Sequence, residues 1–384
     1  MLTSNIKFNN FYISKSNKLK NIKNEKWFKK VRVFETLKPK FKYSYSKNQI
    51  RKFSKKKNFR LIGMGGSALG AKAIYHFLNH KIKKKFVFIN NLNSNLSKNE
   101  KKIKATNIII SKSGNTLETI ANSNLLVKGN KNIFITEKKT NYLRNLAYEL
   151  KAEIIEHKNY IGGRYSVLSE VGMLPAEIMG LNEKKFKRFN YLISSKNFLN
   201  QLLDNVNAIL KFIKQKKNNS IILNYDKDSE SLLSWYQQLV AESLGKKSKG
   251  ILPIISNMPS DNHSLLQLYL DGPKNNFFTF FSTQNEKTDK INYRWLQKSH
   301  IYLKNKSFSK ILYAQKIATE KVFIQKKLPF RSFHIKKRNE EVLGELFCFF
   351  ILETILLGRA LKVNPFDQPS VELIKKETKK ILLN

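Results

Sequence analysis

Two stretches of this chain alternate short apolar runs with segments of helical spacing, and this pattern limits the fold more than any other feature. The first series begins at Phe59, where an apolar run ends in glycine and a segment with apolar residues at helical spacing follows. Further apolar runs lie at 86–90, 106–110 and 132–136, and a second series begins near Ser220. Buried strands that alternate with helices form parallel sheets covered on both faces. The sequence therefore predicts an α/β fold with two parallel-sheet units of similar build.

The length of 384 residues fits two or three domains at about 150 residues each. We predict a peripheral, partly helical N-terminal segment over residues 1–50, which are rich in Lys and Asn. Residues 51–180 are then the first α/β domain, and residues 181–384 are the second. Two helices are expected at the C-terminal end. One runs from about Glu340 to Leu361, and the other begins near Pro369, because proline suits the first turn of a helix.

Composition places the chain among cytoplasmic globular proteins. The single cysteine, Cys348, excludes an internal disulfide and a cysteine-rich zinc site. The longest apolar stretch, 342–358, is interrupted by Glu345 and Glu353 and is shorter than the roughly 20 residues of a membrane span. No hydrophobic signal segment is apparent at the N-terminus. We expect no membrane association.

The formal net charge is +44, which has two possible explanations. One is a nucleic acid or a membrane surface as partner. The other is compositional bias, because Lys is accompanied by abundant Asn and Ile, the residues that AT-rich codons favour. The basic runs lie between apolar blocks, and no zinc-finger spacing or RNA-binding aromatic signature accompanies them. The distribution favours bias, so we expect no specific nucleic-acid partner, although anionic small molecules would be attracted.

A glycine-rich turn at 63–67 lies between a predicted strand and a predicted helix. Such a turn lets a ligand approach the backbone, and the helix start offers N–H groups to an anion. Gly63, Gly65 and Ala68 also fit the loose dinucleotide-binding pattern. That pattern needs an acidic residue about 20 positions later, and the next strand ends in Asn90-Asn91 instead. We interpret the turn as a cofactor-free anion site, with a structural tight turn as the alternative.

A second turn of this kind spans 111–116, again between a strand and a helix. It contains three hydroxyl side chains, a lysine and a glycine, which together suit a phosphate group. The alternative is that Thr116 and its neighbours only cap the following helix. Both roles are compatible. Two hydroxyl-bearing turns on one sheet favour a ligand.

Six motifs now support a family resemblance. They are, in order, GMGGSALG, SKSGNTLET, IGGRYSVLSEVGMLPAEIMGL, WYQQLVAESLGK, NHSLLQLYLDGP and FDQPSVELIKK. From about Phe59 to Leu383 the chain resembles the glucose-6-phosphate isomerase family of the sugar-isomerase (SIS) superfamily. The resemblance implies two SIS-type α/β sandwich domains and no cofactor. The chain departs from many members by its short N-terminal region and by Gly114, where a bulkier residue is common.

The resemblance also implies roles for individual residues. Gly66, Ser67, Ser111, Lys112, Ser113 and Thr116 would hold the sugar phosphate. Arg164 would lie beside the reacting carbons, and Gln238 and Glu242, one helical turn apart, would face the same cavity. His263, supplied by the neighbouring subunit of a homodimer, would open the sugar ring. Gln368 and Lys375 would lie near the last helix, with Lys375 at the ring oxygen.

These residue types also fit the chemistry directly. Aldose–ketose interconversion moves a proton between adjacent carbons through an enediol, and one carboxylate is able to take and return it. A permanently charged arginine stabilises the developing negative oxygen, and a histidine exchanges protons near neutral pH. The reaction requires no metal and no nicotinamide.

Alternatives remain at the level of sequence. Glu242 could be a surface acid, His263 a helix cap, Arg164 a loop ion-pair residue and Lys375 a solvated lysine. The chain could instead be a non-catalytic sugar-phosphate-binding regulator, although such regulators usually carry a helix-turn-helix segment that residues 1–50 do not show. An isomerase for another hexose phosphate or for mannose phosphate is a further alternative.

Overall fold

The computed structural model of the chain describes residues 1–11, 31–92, 104–129, 131–284 and 288–383, and every structural statement below refers to those residues. The strands are β1 (Ile6–Asn9), β2 (Asn58–Ile62), β3 (Lys85–Ile89), β4 (Thr106–Ile110), β5 (Asn132–Thr136), β6 (Glu153–Glu156), β7 (Asn219–Asn224), β8 (Leu252–Asn257), β9 (Asn276–Thr283) and β10 (Phe330–Ile335).

The helices follow the same chain order. They are α1 (Lys47–Arg51), α2 (Gly66–Phe77), α3 (Leu117–Leu126), α4 (Tyr142–Glu149), α5 (Glu170–Ile178), α6 (Phe189–Ser194), α7 (Lys196–Lys214), α8 (Glu230–Leu244), α9 (Leu266–Asp271), α10 (Phe308–Gln325), α11 (Glu340–Ala360) and α12 (Pro369–Leu383).

The strands form two five-stranded sheets, which confirms the predicted fold class. The first sheet has the order β3-β2-β4-β5-β6, and all its neighbours are parallel. The second has the order β1-β10-β9-β7-β8, and only the β1–β10 pair is antiparallel. In both sheets, each hydrogen-bonded parallel pair is separated in sequence by at least one helix, as parallel pairing requires.

The N-terminal strand was not predicted for residues 1–50, where the sequence indicates only a partly helical segment. Strand β1 lies at the edge of the second sheet, where Ile6 is opposite Ile335 and Phe8 is opposite Phe333. Ile6 and Phe8 are buried and the residues that alternate with them are exposed, so this short strand has one apolar face that the core covers. Residues 12–30 of the predicted segment lie outside the described residues.

One hydrophobic core connects the two sheets. Buried residues of α2, α8 and α11 belong to the same apolar cluster, and α8 packs against both other helices. Helix α11, which the sequence predicts from about Glu340, is buried over most of its length. Because α2 begins at the end of β2 while α8 follows β7, their packing brings the loops of the first sheet to a helix of the second.

The two C-terminal helices differ sharply in burial. Helix α12 begins at Pro369 as predicted, but none of its residues is buried, and Ile374 and Leu382 are each more than half exposed. Among the described residues, no helix has both the length and the apolar character needed to cross a membrane.

Candidate functional site

The two predicted anion-binding turns lie side by side at the carboxyl edge of the first sheet. Strands β2 and β4 are parallel neighbours, so the turns that follow them leave the same edge. A Cβ at Gly63 would lie 2.8 Å from the carbonyl oxygen of Ile110, at the end of β4. The first turn therefore needs glycine at this position in order to pack against the second.

The glycine turn also contacts the residues predicted to carry out the chemistry. Gly65 has a φ of +51°, and a Cβ there would lie 2.6 Å from Gln238 Nε2. A Cβ at Gly66 would lie 2.3 Å from the carbonyl carbon of Gly163, next to Arg164. Ser67 is half-buried in the first turn of α2. The missing side chains thus allow helix α8 and the Gly163–Arg164 backbone to meet the turn.

The second turn arranges its hydroxyl groups toward each other. Ser111 Oγ and Thr116 Oγ1 are 2.8 Å apart, and Ser111 is buried. Thr116 occupies the N-cap position of α3, but its side chain makes no capping hydrogen bond. Ser113 is exposed, and its Oγ accepts from the backbone N–H of Asn115 at 3.3 Å. The side chain of Thr116 therefore does not act as the cap that the alternative interpretation required.

Asn141 explains the glycine at position 114. Gly114 has a φ of +66°, and a Cβ there would lie 1.8 Å from Asn141 Oδ1. The same Oδ1 accepts from the backbone N–H of Arg144 at 2.9 Å and caps helix α4. A bulkier residue at 114 would clash with this cap, so the departure from the common family pattern has a local structural cause.

Lys112 already has partners in the structure. Its Nζ donates to the carbonyl oxygen of Asn159 at 2.6 Å and lies 3.5 Å from Glu137 Oε1. His157 lies nearby and is buried. Burial, together with the positive charge of Lys112, lowers the pKa of His157 to about 4, and its Nδ1 contacts the carbonyl oxygen of Lys158 at 3.1 Å. This histidine is therefore neutral at physiological pH.

Arg164 joins three segments of the chain. It lies in a 3₁₀ turn and is only 3% exposed. Its Nε donates to Ser243 Oγ at 2.8 Å, while Nη2 donates to the carbonyl oxygens of Pro365 at 2.7 Å and Asp367 at 2.9 Å. Arginine is only a donor, so these acceptors satisfy one side of the guanidinium.

The remaining nitrogen of Arg164 faces two predicted site residues, and one of these contacts a third. Nη1 donates to Gln368 Oε1 at 2.8 Å and lies 3.3 Å from Glu242 Oε2. The same Glu242 oxygen accepts from Gln238 Nε2 at 3.2 Å, so the predicted common face of Gln238 and Glu242 is present. The Glu242 side chain is 22% exposed, which leaves it accessible to a ligand. We call Arg164, Gln238, Glu242 and Gln368 the arginine cluster.

Gln238 has an acceptor available within this cluster. Its Oε1 is buried, and no hydrogen-bond partner for it occurs in the described parts of the chain. Buried polar atoms are nearly always paired in folded proteins. An amide oxygen in this position is suited to accept from a ligand hydroxyl group.

His263 and Lys375 lie apart from the arginine cluster. His263 is exposed on the turn Ser260–His263 and does not cap α9, whose N-cap is Leu265. Lys375 lies on the exposed helix α12, and its Nζ is 2.7 Å from Glu372 Oε1. Across the described ranges, no hydrogen bond or ion pair links either residue to the cluster. No group of three or more His, Cys, Asp or Glu side chains among those residues is placed to hold a metal ion.

The residues that hold Arg164 in place were not predicted from the sequence. Ser243 and Tyr165 lie within two of the motifs, each directly beside a predicted site residue, and both are buried. Ser243 accepts from the Arg164 guanidinium, whereas Tyr165 is hydrogen-bonded to Ser243. The carbonyl groups of Pro365 and Asp367 carry no side-chain signal at all. The sequence signal for Ser243 and Tyr165 was their position next to Glu242 and Arg164.

Comparison with known proteins agrees with these motifs. The family model described as phosphoglucose isomerase matches residues 47–256. A glucose-6-phosphate isomerase of Methanocaldococcus jannaschii is 30% identical over 356 residues, which cover 87% of this chain and 86% of that protein. One of Mycoplasmopsis pulmonis is 33% identical over 390 residues, with 88% and 87% covered.

Solved structures share the fold. A hypothetical protein of Thermus thermophilus superposes with a TM-score of 0.79 at 25% identity and covers 88% of this chain and 87% of its own. A glucose-6-phosphate isomerase from Chlamydia trachomatis gives a TM-score of 0.71 at 19% identity, covering 87% and 71%. The second likeness shows the fold alone.

Proposed function

The chain belongs to the phosphoglucose isomerase family, and from that premise we propose that it interconverts glucose 6-phosphate and fructose 6-phosphate through an enediol intermediate. The isomerase class follows from the family. The substrate pair and the route are the proposal, and with them a place in glycolysis and gluconeogenesis. The observation that carries it is the Glu242 carboxylate, which is partly exposed and lies 3.3 Å from the buried Arg164 guanidinium.

Substrate binding begins at the two turns of the first sheet. In the proposal the sugar phosphate binds at Ser111, Ser113 and Thr116, with Lys112 contributing positive charge. Gly66 and Ser67 line the neighbouring turn. The start of α3 adds its dipole, since a helix N-terminus attracts anions. The hydroxyl pair of Ser111 and Thr116, already 2.8 Å apart, supports this assignment.

Glu242 then moves the proton. Its carboxylate takes a proton from C2 of the open-chain aldose and returns it to C1, while the hydroxyl proton of O2 passes to O1, so that the C2 oxygen becomes the ketone. Negative charge develops on the substrate oxygens in the enediolate. A guanidinium group carries a permanent positive charge, and that of Arg164 lies beside Glu242, so it stabilises the enediolate more than the neutral substrate. Gln238 and Gln368 supply amide groups that orient the substrate hydroxyls.

Ring opening is assigned to His263 of a second copy and to Lys375. The exposure of His263 on a turn held by Asp261, which accepts from Ser256 Oγ and the Asn257 N–H at 2.8 Å each, supports this assignment. The exposed apolar residues of α12 support a homodimer, because a face of this kind is stabilised by burial against a partner.

Replacement of Glu242 tests the proposal. Glu242→Gln removes the base but keeps the side-chain shape, so kcat for fructose 6-phosphate in a coupled assay should fall by about 10²–10⁴-fold while KM changes little. Glu230→Gln is the matched control, because Glu230 is an exposed glutamate at the start of the same helix. Its kcat should equal that of the wild type.

Isotope exchange tests the enediol route separately. In heavy water the wild-type enzyme should place solvent deuterium at C1 or C2 of the product, diluted by protons that Glu242 carries across directly. Turnover without any exchange would point to a hydride shift and would contradict the enediol. Normal turnover by Glu242→Gln would remove Glu242 from the mechanism.

A further inference from the structure

Arg164 has no free donor on the side that faces away from Glu242. Nε is bound to Ser243 Oγ at 2.8 Å, and both contacts of Nη2 are backbone carbonyl oxygens of the turn before α12. Only Nη1 faces side chains of the arginine cluster. The guanidinium is planar, so fixing Nε and Nη2 also fixes the direction of Nη1.

Ser243 is the side chain that fixes Nε, and its hydrogen bonds have one consistent direction. Because Arg164 only donates, Ser243 Oγ accepts from it and has its own proton left to donate. Tyr165 Oη lies 2.9 Å from Ser243 Oγ and 3.1 Å from the carbonyl oxygen of Pro365, which only accepts. Ser243 therefore donates to Tyr165, and Tyr165 donates to Pro365.

These contacts form a closed ring, since the Pro365 carbonyl also accepts from Arg164 Nη2 at 2.7 Å. Ser243 and Tyr165 are each 0% exposed. Burial raises the pKa of the Tyr165 phenol to about 12, so this hydroxyl keeps its proton and remains a donor throughout the neutral range. Both hydroxyl groups are therefore out of contact with solvent in the folded chain.

Ser243 directly follows Glu242 on helix α8. Successive helical residues point about 100° apart, so one helix presents Glu242 to the cavity and Ser243 to the buried side of Arg164. The spatial relation between the carboxylate and the guanidinium is thereby set by a rigid element.

We propose that Ser243 is a positioning residue for the isomerase reaction, whose hydroxyl holds the Arg164 guanidinium so that Nη1 stays directed at Glu242 and Gln368. The proposal rests on the proposed function. Ser243 does not touch the reacting atoms. It acts only through Arg164, and Tyr165 orients the Ser243 hydroxyl.

The test replaces the hydroxyl. Ser243→Ala leaves Nε without an acceptor in a buried site, and misplacement of a catalytic group by about 1 Å costs on the order of 10²-fold in rate. We expect kcat to fall by about 10–100-fold with KM for fructose 6-phosphate nearly unchanged, because the phosphate turns are untouched. Ser243→Cys is the second variant: it tolerates burial, but its sulfur is a weak acceptor, so kcat should fall similarly.

Ser231→Ala is the matched control. Ser231 is a buried serine on the same helix, and its hydroxyl is bonded to His76 Nδ1 at 2.7 Å, outside the arginine cluster. Its removal costs a partly buried hydrogen bond but should leave kcat at the wild-type value. Urea unfolding of all variants reports whether they fold.

The outcomes separate the two proposals. Wild-type kcat in a folded Ser243→Ala or Ser243→Cys variant would overturn the positioning role alone, as would an equal loss of kcat in Ser231→Ala. Absence of isomerase activity in the wild type would overturn the proposed function and, with it, the role of Ser243 in that reaction. A selective loss of kcat in both Ser243 variants supports the proposal.

Discussion

The arginine cluster lies inside one chain and is joined by hydrogen bonds, whereas His263 and Lys375 are exposed and have no bond to it across the described residues. The two groups correspond to two parts of the proposed reaction. In the proposal, proton transfer between carbons uses the arginine cluster, and ring opening uses the exposed pair.

The difference between the arginine cluster and the exposed pair indicates which contacts each of them requires in order to assemble. The arginine cluster is complete once α8, the Gly163–Leu168 turn and residues 364–368 have packed. The exposed pair lies on a short turn and on a helix without buried residues, so in the proposed function its position depends on contacts with a second copy. Four experiments follow, of which the first and the third test this division directly and the other two sharpen it at the neighbouring phosphate turn.

The largest effect should follow from replacing Arg164. Arg164→Lys keeps the charge, but a lysine cannot reproduce the planar set of donors that Ser243, Pro365, Asp367 and Gln368 require. We expect kcat to fall by about 10²–10³-fold and the free energy of unfolding to fall by about 1–3 kcal/mol. Steady-state kinetics and urea unfolding measure the two changes.

Lys375→Met is the comparison for this variant. Lys375 is exposed, and exposed substitutions usually change stability by less than about 0.5 kcal/mol. If Lys375→Met destabilised the fold as much as Arg164→Lys, the division between the hydrogen-bonded arginine cluster and the exposed pair would be wrong.

The next largest effect concerns the phosphate turn. Ser111→Ala and Thr116→Ala each remove one hydroxyl that would bind the charged phosphate, which is worth about 1.5–3 kcal/mol, so KM should rise by roughly one to two orders of magnitude. Because the two hydroxyls are 2.8 Å apart, their effects should not add, and a double-mutant cycle measures the coupling. Thr119→Val is the control. It removes a buried hydroxyl group of the helix that follows the turn, and this hydroxyl has no hydrogen-bond partner in the described chain. An unchanged KM in the double variant would remove the turn from phosphate binding.

A complementation experiment tests whether His263 acts in a second copy. Glu242→Gln and His263→Ala are each inactive in the proposal, but a mixed dimer contains one complete site. Random exchange makes half of the dimers mixed, and each has one of two sites complete, so activity should recover to about a quarter of the wild type. Failure to recover, with exchange demonstrated by mass spectrometry, would place His263 in the site of its own chain or outside the mechanism.

The smallest effect on activity is expected at the buried histidine beside the phosphate turn, where the quantity to measure is stability. Burial lowers the pKa of His157 from its ordinary value of 6.5 to about 4, so the unfolded chain takes up a proton before the folded chain does. The stability that neutral His157 contributes is complete above pH 6.5 and is lost as the pH falls toward 4. Compared with His157→Gln, the wild type should lose about 2–3 kcal/mol of unfolding free energy over this range. If the unfolding free energies of the two proteins changed with pH in parallel, burial would not be the cause of this pH dependence.

Much of the architecture followed from sequence patterns alone. The strands β2 to β5, the start of β7 and the helices α11 and α12 were predicted to within a few residues, because apolar residues form most of each strand, α11 is long and apolar, and α12 begins with proline. Strand β10 was not identified. Its apolar run is broken by Arg331, which the fold buries against Glu353, Asn205 and Tyr236. A single sequence does not show that such a charge has a buried partner.

For the candidate site, sequence determined the chemical groups and tertiary structure decided their partners. Gln238 and Glu242 share a face because four residues make one helical turn, so local geometry was sufficient. The contacts of Arg164 join residues more than 75 positions apart in the chain, at Ser243, and about 200 apart, at Pro365. Such contacts depend on how α8 packs against α2 and on where the turn after α11 ends, and two of the acceptors are backbone carbonyls that every residue has. Periodicity and motifs describe what a segment carries, whereas only the packed core sets which segments meet.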